Sequence, residues 1–415
     1  MFKVLTGGWA LFLGMGFLMV GNGMQGTLLG VRGAIEGFST GEMSVIMSAY
    51  FVGFLGGSRL APEMIRRVGH IRVFAALASF ISAVLILYPS ITDPLAWTLL
   101  RVLIGFCFSG VYVTAESWLN NAATNETRGQ ALSVYMIVQM LGIIAAQALL
   151  VTGDPSGFVL FVIPSVLVSL SFAPILLSVA PTPPFAAAKP MSLRRLFRSS
   201  PLGCMGMLLT GGVYSAQFGM ASVYGALLGL SVAEIALFVG AIYAGGLLFQ
   251  YPIGWMSDRL DRRKLVLAAS VAALAVSVLA ALVPEPSLTL LMAAGFVLGG
   301  MTNPIYSLLI AHTNDYLANE DMAGASGGLI FINGIGAIAG PLIIGVLLEW
   351  LGPPGFWAFL GLMMGCLAAY AGWRMTRRPT ADETTAFVAM TPASTAVATE
   401  AAQEWAQEKT ENAGA

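Results

Sequence analysis

Charge is what this chain lacks. Only 10% of its 415 residues are Asp, Glu, Lys or Arg, against roughly 25% in a soluble domain, whose surface water must cover. Hydrophobic residues reach 57% and mean hydropathy is +0.81, so most of the surface must face lipid. A formal net charge of -1 offers no basic field to a nucleic acid, and none is expected as a partner. The three cysteines, Cys107, Cys204 and Cys366, lie far apart inside apolar runs. That excludes a disulfide framework or a metal site, and they read as small buried hydrophobes. A phosphate-binding Gly-Lys-Ser loop is also missing, so ATP drives nothing here unless a partner supplies it. The few ionisable groups at membrane depth include no catalytic pair, which argues against an enzyme, and no cofactor is expected. No ring of like charges or re-entrant filter marks a channel.

What is present is apolar length. A helix needs about 20 apolar residues to cross a hydrocarbon core roughly 30 Å thick. Twelve runs qualify, near residues 9–30, 42–61, 71–91, 95–118, 130–152, 157–179, 202–225, 233–256, 265–283, 288–312, 324–348 and 356–374. The first is too long for a cleaved signal peptide and carries Asn22 and Gln25, so it counts as a span. With the N-terminus inside, 18 of the 20 Lys and Arg fall on one face. Arg32 alone is opposite, and Arg101 lies within a span. The positive-inside rule therefore places both termini in the cytoplasm of a multi-pass inner-membrane protein.

The chain divides into residues 1–180, a linker at 181–200, residues 201–378 and a tail at 379–415. Pro181, Pro183, Pro184 and Pro190 break the linker, and Leu193, Leu196 and Phe197 beside Arg194, Arg195 and Arg198 predict a short amphipathic helix on the cytoplasmic leaflet. The tail is rich in Ala, Thr and Glu and reads as disordered. Sliding the sequence by 192 residues superposes Gln25 on Gln217, Ser39 on Ser231, Glu42 on Glu234 and Gly53 on Gly245. The fold expected is an all-α membrane protein of twelve transmembrane helices, two six-helix parallel repeats with a site between them near the midplane.

Gly254-Trp255-Met256-Ser257-Asp258-Arg259-Leu260-Asp261-Arg262-Arg263-Lys264, after the eighth span, resembles the Gly-x-x-x-Asp-Arg-x-Gly-Arg-Arg loop of the major facilitator superfamily, with Asp261 in place of the second Gly. The loop after the second span, from Pro62 through Arg66, Arg67 and Gly69 to Arg72, matches less well, with Arg66 where the family has Asp. Arg101 with Gly105 resembles the family's fourth-span Arg-x-x-x-Gly pattern. Ser48-Ala49-Tyr50-Phe51, Glu116-Ser117-Trp118-Leu119-Asn120 and Ala311-His312 with Asn314-Asp315 resemble its YcaD-type branch. The resemblance implies a secondary transporter working by alternating access.

Several residues carry candidate chemistry. A charge inside a span is costly, about 2.5–3.5 kcal/mol at a helix centre on translocon scales. Arg101 therefore faces the cavity, as the resemblance implies, snorkels to the interface, or is structurally paired. Glu116, about 22 Å further along the helix, is either an ion-pair latch with Arg66, Arg67 or Arg128, a proton acceptor, or a surface carboxylate. His312 and Asp315 form either a proton relay or a helix cap at the cytoplasmic gate. Asn22 and Gln25, with Tyr214 and Gln217 from the other repeat, line the cavity or join helices, and Gln139 and Asn333 carry the same alternative. Arg66, Arg67, Gly69, Gly254, Asp258, Arg259, Arg262 and Arg263 complete the expected cytoplasmic gate. Gly53-x-x-x-Gly57, Gly295-x-x-x-Gly299 and Gly336-x-x-x-Gly340 read as close-packing devices.

The expected function is proton-coupled transport of a small solute by a monomer in the lipid bilayer. Scarce deep charge suits neutral or amphipathic solutes and hence efflux. Uptake of a small metabolite is the alternative; Gly142-Ile143-Ile144-Ala145-Ala146-Gln147 stands where the family's fifth-span Gly-Pro antiporter motif is expected, which removes one argument for efflux. A sensor that kept the fold without transporting is the third.

Overall fold

The computed structural model describes residues 2–122, 125–177, 191–283, 285–377, 379, 385, 387–390, 394–395, 397–399 and 402. In the first half, α1 (Phe2–Ile35), α2 (Thr40–Val68), α3 (His70–Ser90), α4 (Pro94–Ala122) and α5 (Asn125–Leu150) are followed by α6 (Val159–Ser171) and α7 (Ala173–Leu177). The last two are one span interrupted at Phe172, where Pro174 has no N–H to continue the ladder. After the linker come α8 (Leu193–Ser199), α9 (Pro201–Ser215), a π-helical turn (Ala216–Met220) and α10 (Ala221–Leu227). α11 (Val232–Ser257), α12 (Arg262–Ala281), α13 (Leu288–Asn314), α14 (Asn319–Leu351) and α15 (Pro354–Met375) complete the second half. Ten helices, with α6 and α7 taken as one, are long and apolar enough to cross a membrane. With α1 and the run from α9 to α10 they make the twelve-helix layout.

The repeat is written into local geometry. Ser39 and Ser231 each cap a helix reciprocally with the Glu three residues on, the backbone N–H of each serine donating to that carboxylate at 2.8 Å. Such a capping box satisfies donors that a helix start leaves orphaned. Gly37 and Gly229, at the same offset, turn the preceding loops with φ of 77° and 71°, a region that L side chains rarely adopt. Between α2 and α4 the backbones nearly touch, and a Cβ on Gly53 would stand 1.8 Å from the Val102 carbonyl oxygen. Between α11 and α13, a Cβ on Gly245 would stand 1.9 Å from that of Phe296.

Away from the arginine-rich loops the two halves press together. Ser48 on α2 donates to the Ile338 carbonyl on α14 at 2.6 Å, and Gly30 on α1 lies against Ser222 on α10. Toward the basic end a cleft of about 410 Å³ opens between α5 and α11, bounded by Met140, Leu247, Gln250, Asp258 and Phe387. In the linker, α8 lies along α14, with Leu196 buried and Leu193 and Phe197 exposed. Arg195 pairs with Asp321 at 2.5 Å. Residues 181–190 fall outside the described set. Cys107 and Cys204 are buried as expected, whereas Cys366 is exposed on α15.

The glycine contacts make a specific demand. Gly53→Val and Gly245→Val drive the larger side chain into a neighbouring carbonyl that cannot rotate away, at a cost of about 1–3 kcal/mol or more. Each should abolish the monodisperse peak of detergent-solubilised protein in size-exclusion chromatography. Gly56→Ala, whose Cβ meets nothing nearer than 3.8 Å, should leave that peak intact.

Candidate functional site

A polar chain runs through the first half, from Arg101 on α4 to Gln25 and Asn22 on α1. Arg101 on α4 is completely buried, so its guanidinium does not snorkel to the end of the helix. One Nη donates to Gln25 Oε1 on α1, the other to Met47 Sδ at 2.9 Å, and Nε reaches the Ile46 carbonyl at 3.4 Å. The Tyr50 ring covers the guanidinium at 5.0 Å from its centroid, a cation–π contact. Gln25 passes the chain to Asn22 Oδ1 at 3.1 Å, and Asn22 donates to the Tyr112 hydroxyl at 2.7 Å. Tyr50 OH approaches Asn22 Oδ1 at 3.4 Å. The structure thus brings Asn22, Gln25 and Arg101 together.

Where the halves meet, this chain joins an aromatic cluster. Tyr214 stacks on Phe218 with centroids 5.9 Å apart, Phe218 lies 5.3 Å from Tyr50, and Phe51 meets Tyr214 edge-on at 6.2 Å. A cavity of about 20 Å³ beside them is bounded by Tyr50, Phe54, Tyr214 and Asn333. Gln217 donates to Thr302 on α13 at 2.7 Å. It sits in the π turn, a distortion that recurs at functional sites. Asn333 donates to the Met207 carbonyl at 3.0 Å, joining α14 to α9. Tyr50, Tyr112 and Phe218 are missing from the sequence-derived set, although Tyr214 and Phe218 fall four residues apart on one helical face.

Nearer the basic end, Glu116 on α4 is fully buried. It accepts from Tyr135 on α5 at 3.1 Å and from both the backbone N–H (2.9 Å) and the hydroxyl of Thr395. Gln139 is buried one turn beyond Tyr135. The expected latch between Glu116 and Arg66 or Arg67 is not formed. Those arginines are exposed and each pairs with Glu63 at 2.6 Å, because a helical neighbour one turn away is closer than any carboxylate inside the bundle. The Arg128 side chain lies outside the described ones. Gly69 ends α2 with φ of 84°.

The best-matched loop builds its contacts around Arg262, which is 2% exposed. It donates to Asp315, to Ser257 Oγ at 3.1 Å, to the Ala311 carbonyl at 3.0 Å and to Thr385. Asp258 stands farther off, 4.0 Å from Arg262. Burial pushes the Asp315 carboxyl above its ordinary value, opposed by Arg262 and Thr385. Asp261 has a structural reason to replace glycine: its side chain caps α12 by accepting from the Arg263 N–H at 3.0 Å. Arg259 covers the Trp255 ring at 4.2 Å. His312, 6% exposed, meets Tyr316 edge-on at 5.0 Å. Of the tail read as disordered, the described residues include a buried set, Met390, Thr395, Thr399 and Ala402. Phe387 packs on Gly254, and its N–H donates to Asp258 at 2.8 Å.

The Arg101 geometry uses three donors and a flat cation at once, which a Lys ammonium cannot reproduce. Arg101→Lys should therefore behave like Arg101→Ala, each losing about 1.5–3 kcal/mol of stability per forfeited charged hydrogen bond and most transport. Thermal unfolding and solute exchange read this out; near-wild-type Arg101→Lys would reduce the requirement to charge alone.

The family model described as Major Facilitator Superfamily matches residues 11–244 and 203–407. A protein of Yersinia pestis named as an uncharacterized MFS-type transporter is 29% identical over 75% of this chain and 80% of its own length. The uncharacterized MFS-type transporter YcaD of Escherichia coli O7:K1 is 28% identical over 82% of this chain and 88% of its own. Among solved structures, a mutant of the nucleoside transporter NupG superposes with a TM-score of 0.76 at 15% identity, covering 88% of this chain and 99% of that one. A bacterial homologue of the human lysosomal transporter Spinster, in an inward-facing and unoccupied conformation, gives 0.68 at 15% identity over 98% and 97%. The two structures share the fold, and the family model spans both repeats: the chain belongs to the major facilitator superfamily.

Proposed function

We propose that this protein is a proton-coupled exporter of a small neutral or amphipathic solute, acting as a monomer by alternating access, with both termini in the cytoplasm and its spans in the inner membrane. Glu116 carries the reading. It is fully buried beside the cleft between the halves, and its partners among the described residues are a phenol, a hydroxyl and the backbone amides of Thr395 and Ala398, none of them a cation. Taking a carboxylate out of water without a counter-ion is costly, so water entry to the cleft and proton exchange at Glu116 are coupled. The solute class rests on the walls above it. Rings from both halves, with Asn22, Gln217 and Asn333 at their edges, suit a solute with an apolar face and a few hydrogen-bonding groups. Arg101 holds the first-half wall in shape. The exposed positions of Arg66 and Arg67 and the loop around Arg262 support a gate that forms when the basic end closes. Uptake of a small metabolite is the second reading, since the missing Gly-Pro pair in span five removes one argument for efflux.

A thermal-shift screen against metabolites and antimicrobials finds the solute, because a ligand that binds only the folded state stabilises it. In proteoliposomes, an imposed proton gradient should then drive the solute outward relative to the cytoplasmic face. Glu116→Gln should keep solute exchange within about twofold of wild type while abolishing gradient-driven accumulation, since the amide mimics the protonated acid. Accumulation unchanged in Glu116→Gln would remove the residue from coupling; no exchange by the wild type would favour the sensor.

A further inference from the structure

The C-terminal segment binds where no free tail has reason to go. Four acceptors of the bundle are spent on its backbone and hydroxyls. Asp315 takes the N–H of Thr385 at 2.9 Å and its hydroxyl at 3.1 Å, and Asp258 takes the Phe387 N–H at 2.8 Å. Ser307, deep on α13, both receives the Met390 N–H at 2.9 Å and donates to the Met390 carbonyl at 3.0 Å. Glu116, in the other half, takes the Thr395 N–H at 2.9 Å and its hydroxyl. Met390, Thr395 and Thr399 are 4%, 1% and 0% exposed. The contacts start at the mouth of the cleft on α11 and α13 and end on α4, so the segment crosses from one repeat to the other.

We propose that the C-terminal segment is a built-in plug: the cleft between the halves is a binding site for it, through Thr385, Phe387, Met390 and Thr395, and holds the protein open at the basic end with the solute path blocked. Three features support a bound state over loose packing. Each acceptor is a side chain within a helix or at its C-terminal cap, and three of the four are carboxylates, which form the stronger charge-assisted bonds. Ser307 reads both backbone polar groups of one residue, as a strand partner would. Beyond Met390 the buried described residues, Ser394, Thr395, Ala398, Thr399 and Ala402, are small or hydroxylated, which a narrow cleft admits. The steric consequence is direct, since α4 cannot approach α11 and α13 at this end while Met390 and Thr395 lie between them. The block on solute rests on the transport reading, because the plug occupies Glu116; the insertion itself does not.

The test needs no solute. In a chain with Cys107, Cys204 and Cys366 replaced, a cysteine at Met140 in the cleft is labelled with a membrane-impermeant maleimide in inside-out vesicles. Ending the chain after Arg377 should raise the labelling rate about tenfold or more, because a segment held by several bonds opens rarely. Ser307→Ala in the full-length chain should raise it partway, with the fold unchanged by size-exclusion chromatography. A synthetic peptide covering residues 385–402 should restore protection to the shortened chain. Equal labelling of full-length and shortened chains would overturn the plug, as would failure of Ser307→Cys with Met390→Cys to form a disulfide under mild oxidation. If labelling responds as expected but the shortened chain exchanges no solute, the plug stands and the transport reading fails.

Discussion

A guanidinium inside a membrane span must find its hydrogen-bond partners within the protein, and the first repeat is organised around that constraint at Arg101. Lipid offers no acceptor, so α1 supplies Gln25, α2 supplies the Ile46 carbonyl, the Met47 sulfur and the Tyr50 ring, and α4 supplies the charge. That arrangement requires α2 and α4 to lie almost in backbone contact, which Gly53 and Gly105 permit. Gln25 in turn fixes Asn22, and Asn22 fixes Tyr112. One buried charge thereby sets the positions of three helices and shapes the wall of the central cavity.

The two repeats share a scaffold and divide the chemistry. Gly105 meets the Tyr50 carbonyl as Gly299 meets that of Ile242, so α4 and α13 correspond at an offset two residues longer than α2 and α11. On that register the counterpart of Arg101 is Gly295 and that of Glu116 is Ile310. The second half has neither charge. It contributes Gln217 on a π turn and Thr302, together with the Arg262–Asp315 pair beside the cleft mouth. The frame is repeated twice, while the charged side chains buried within spans, Arg101 and Glu116, lie in the first copy.

Apolar run length and the recurrence of Ser39, Glu42 and Gly53 made the fold legible, because helix length and capping are local properties. Asn22, Gln25 and Arg101 were legible as a polar set, since polar residues inside a span are expensive and stand out. Their partners were not: Tyr50, Phe51 and Phe218 look like ordinary membrane aromatics until both halves are in place. Of the alternatives for Glu116, a pairing with Arg66 or Arg67 is not formed, because distance along a helix gives depth but not direction. The tail was the least legible part. Its composition is that of a disordered segment, and its burial depends on acceptors supplied by α4, α11 and α13, hundreds of residues earlier in some cases.

In the alternating-access reading proposed above, the halves rock about the site, so that one end opens as the other closes. Spin labels on cysteines replacing Arg67 and Arg259 report the basic end, and labels replacing Ile35 and Leu227 report the opposite end, all four side chains being exposed. Distances from double electron–electron resonance, compared between the full-length protein and the chain ended after Arg377 across a pH series, are the direct measurement. The shortened chain should show a second population, closer at Arg67 and Arg259 and wider at Ile35 and Leu227. Distances that stay single at both ends, or that change in the same sense at both, would contradict it.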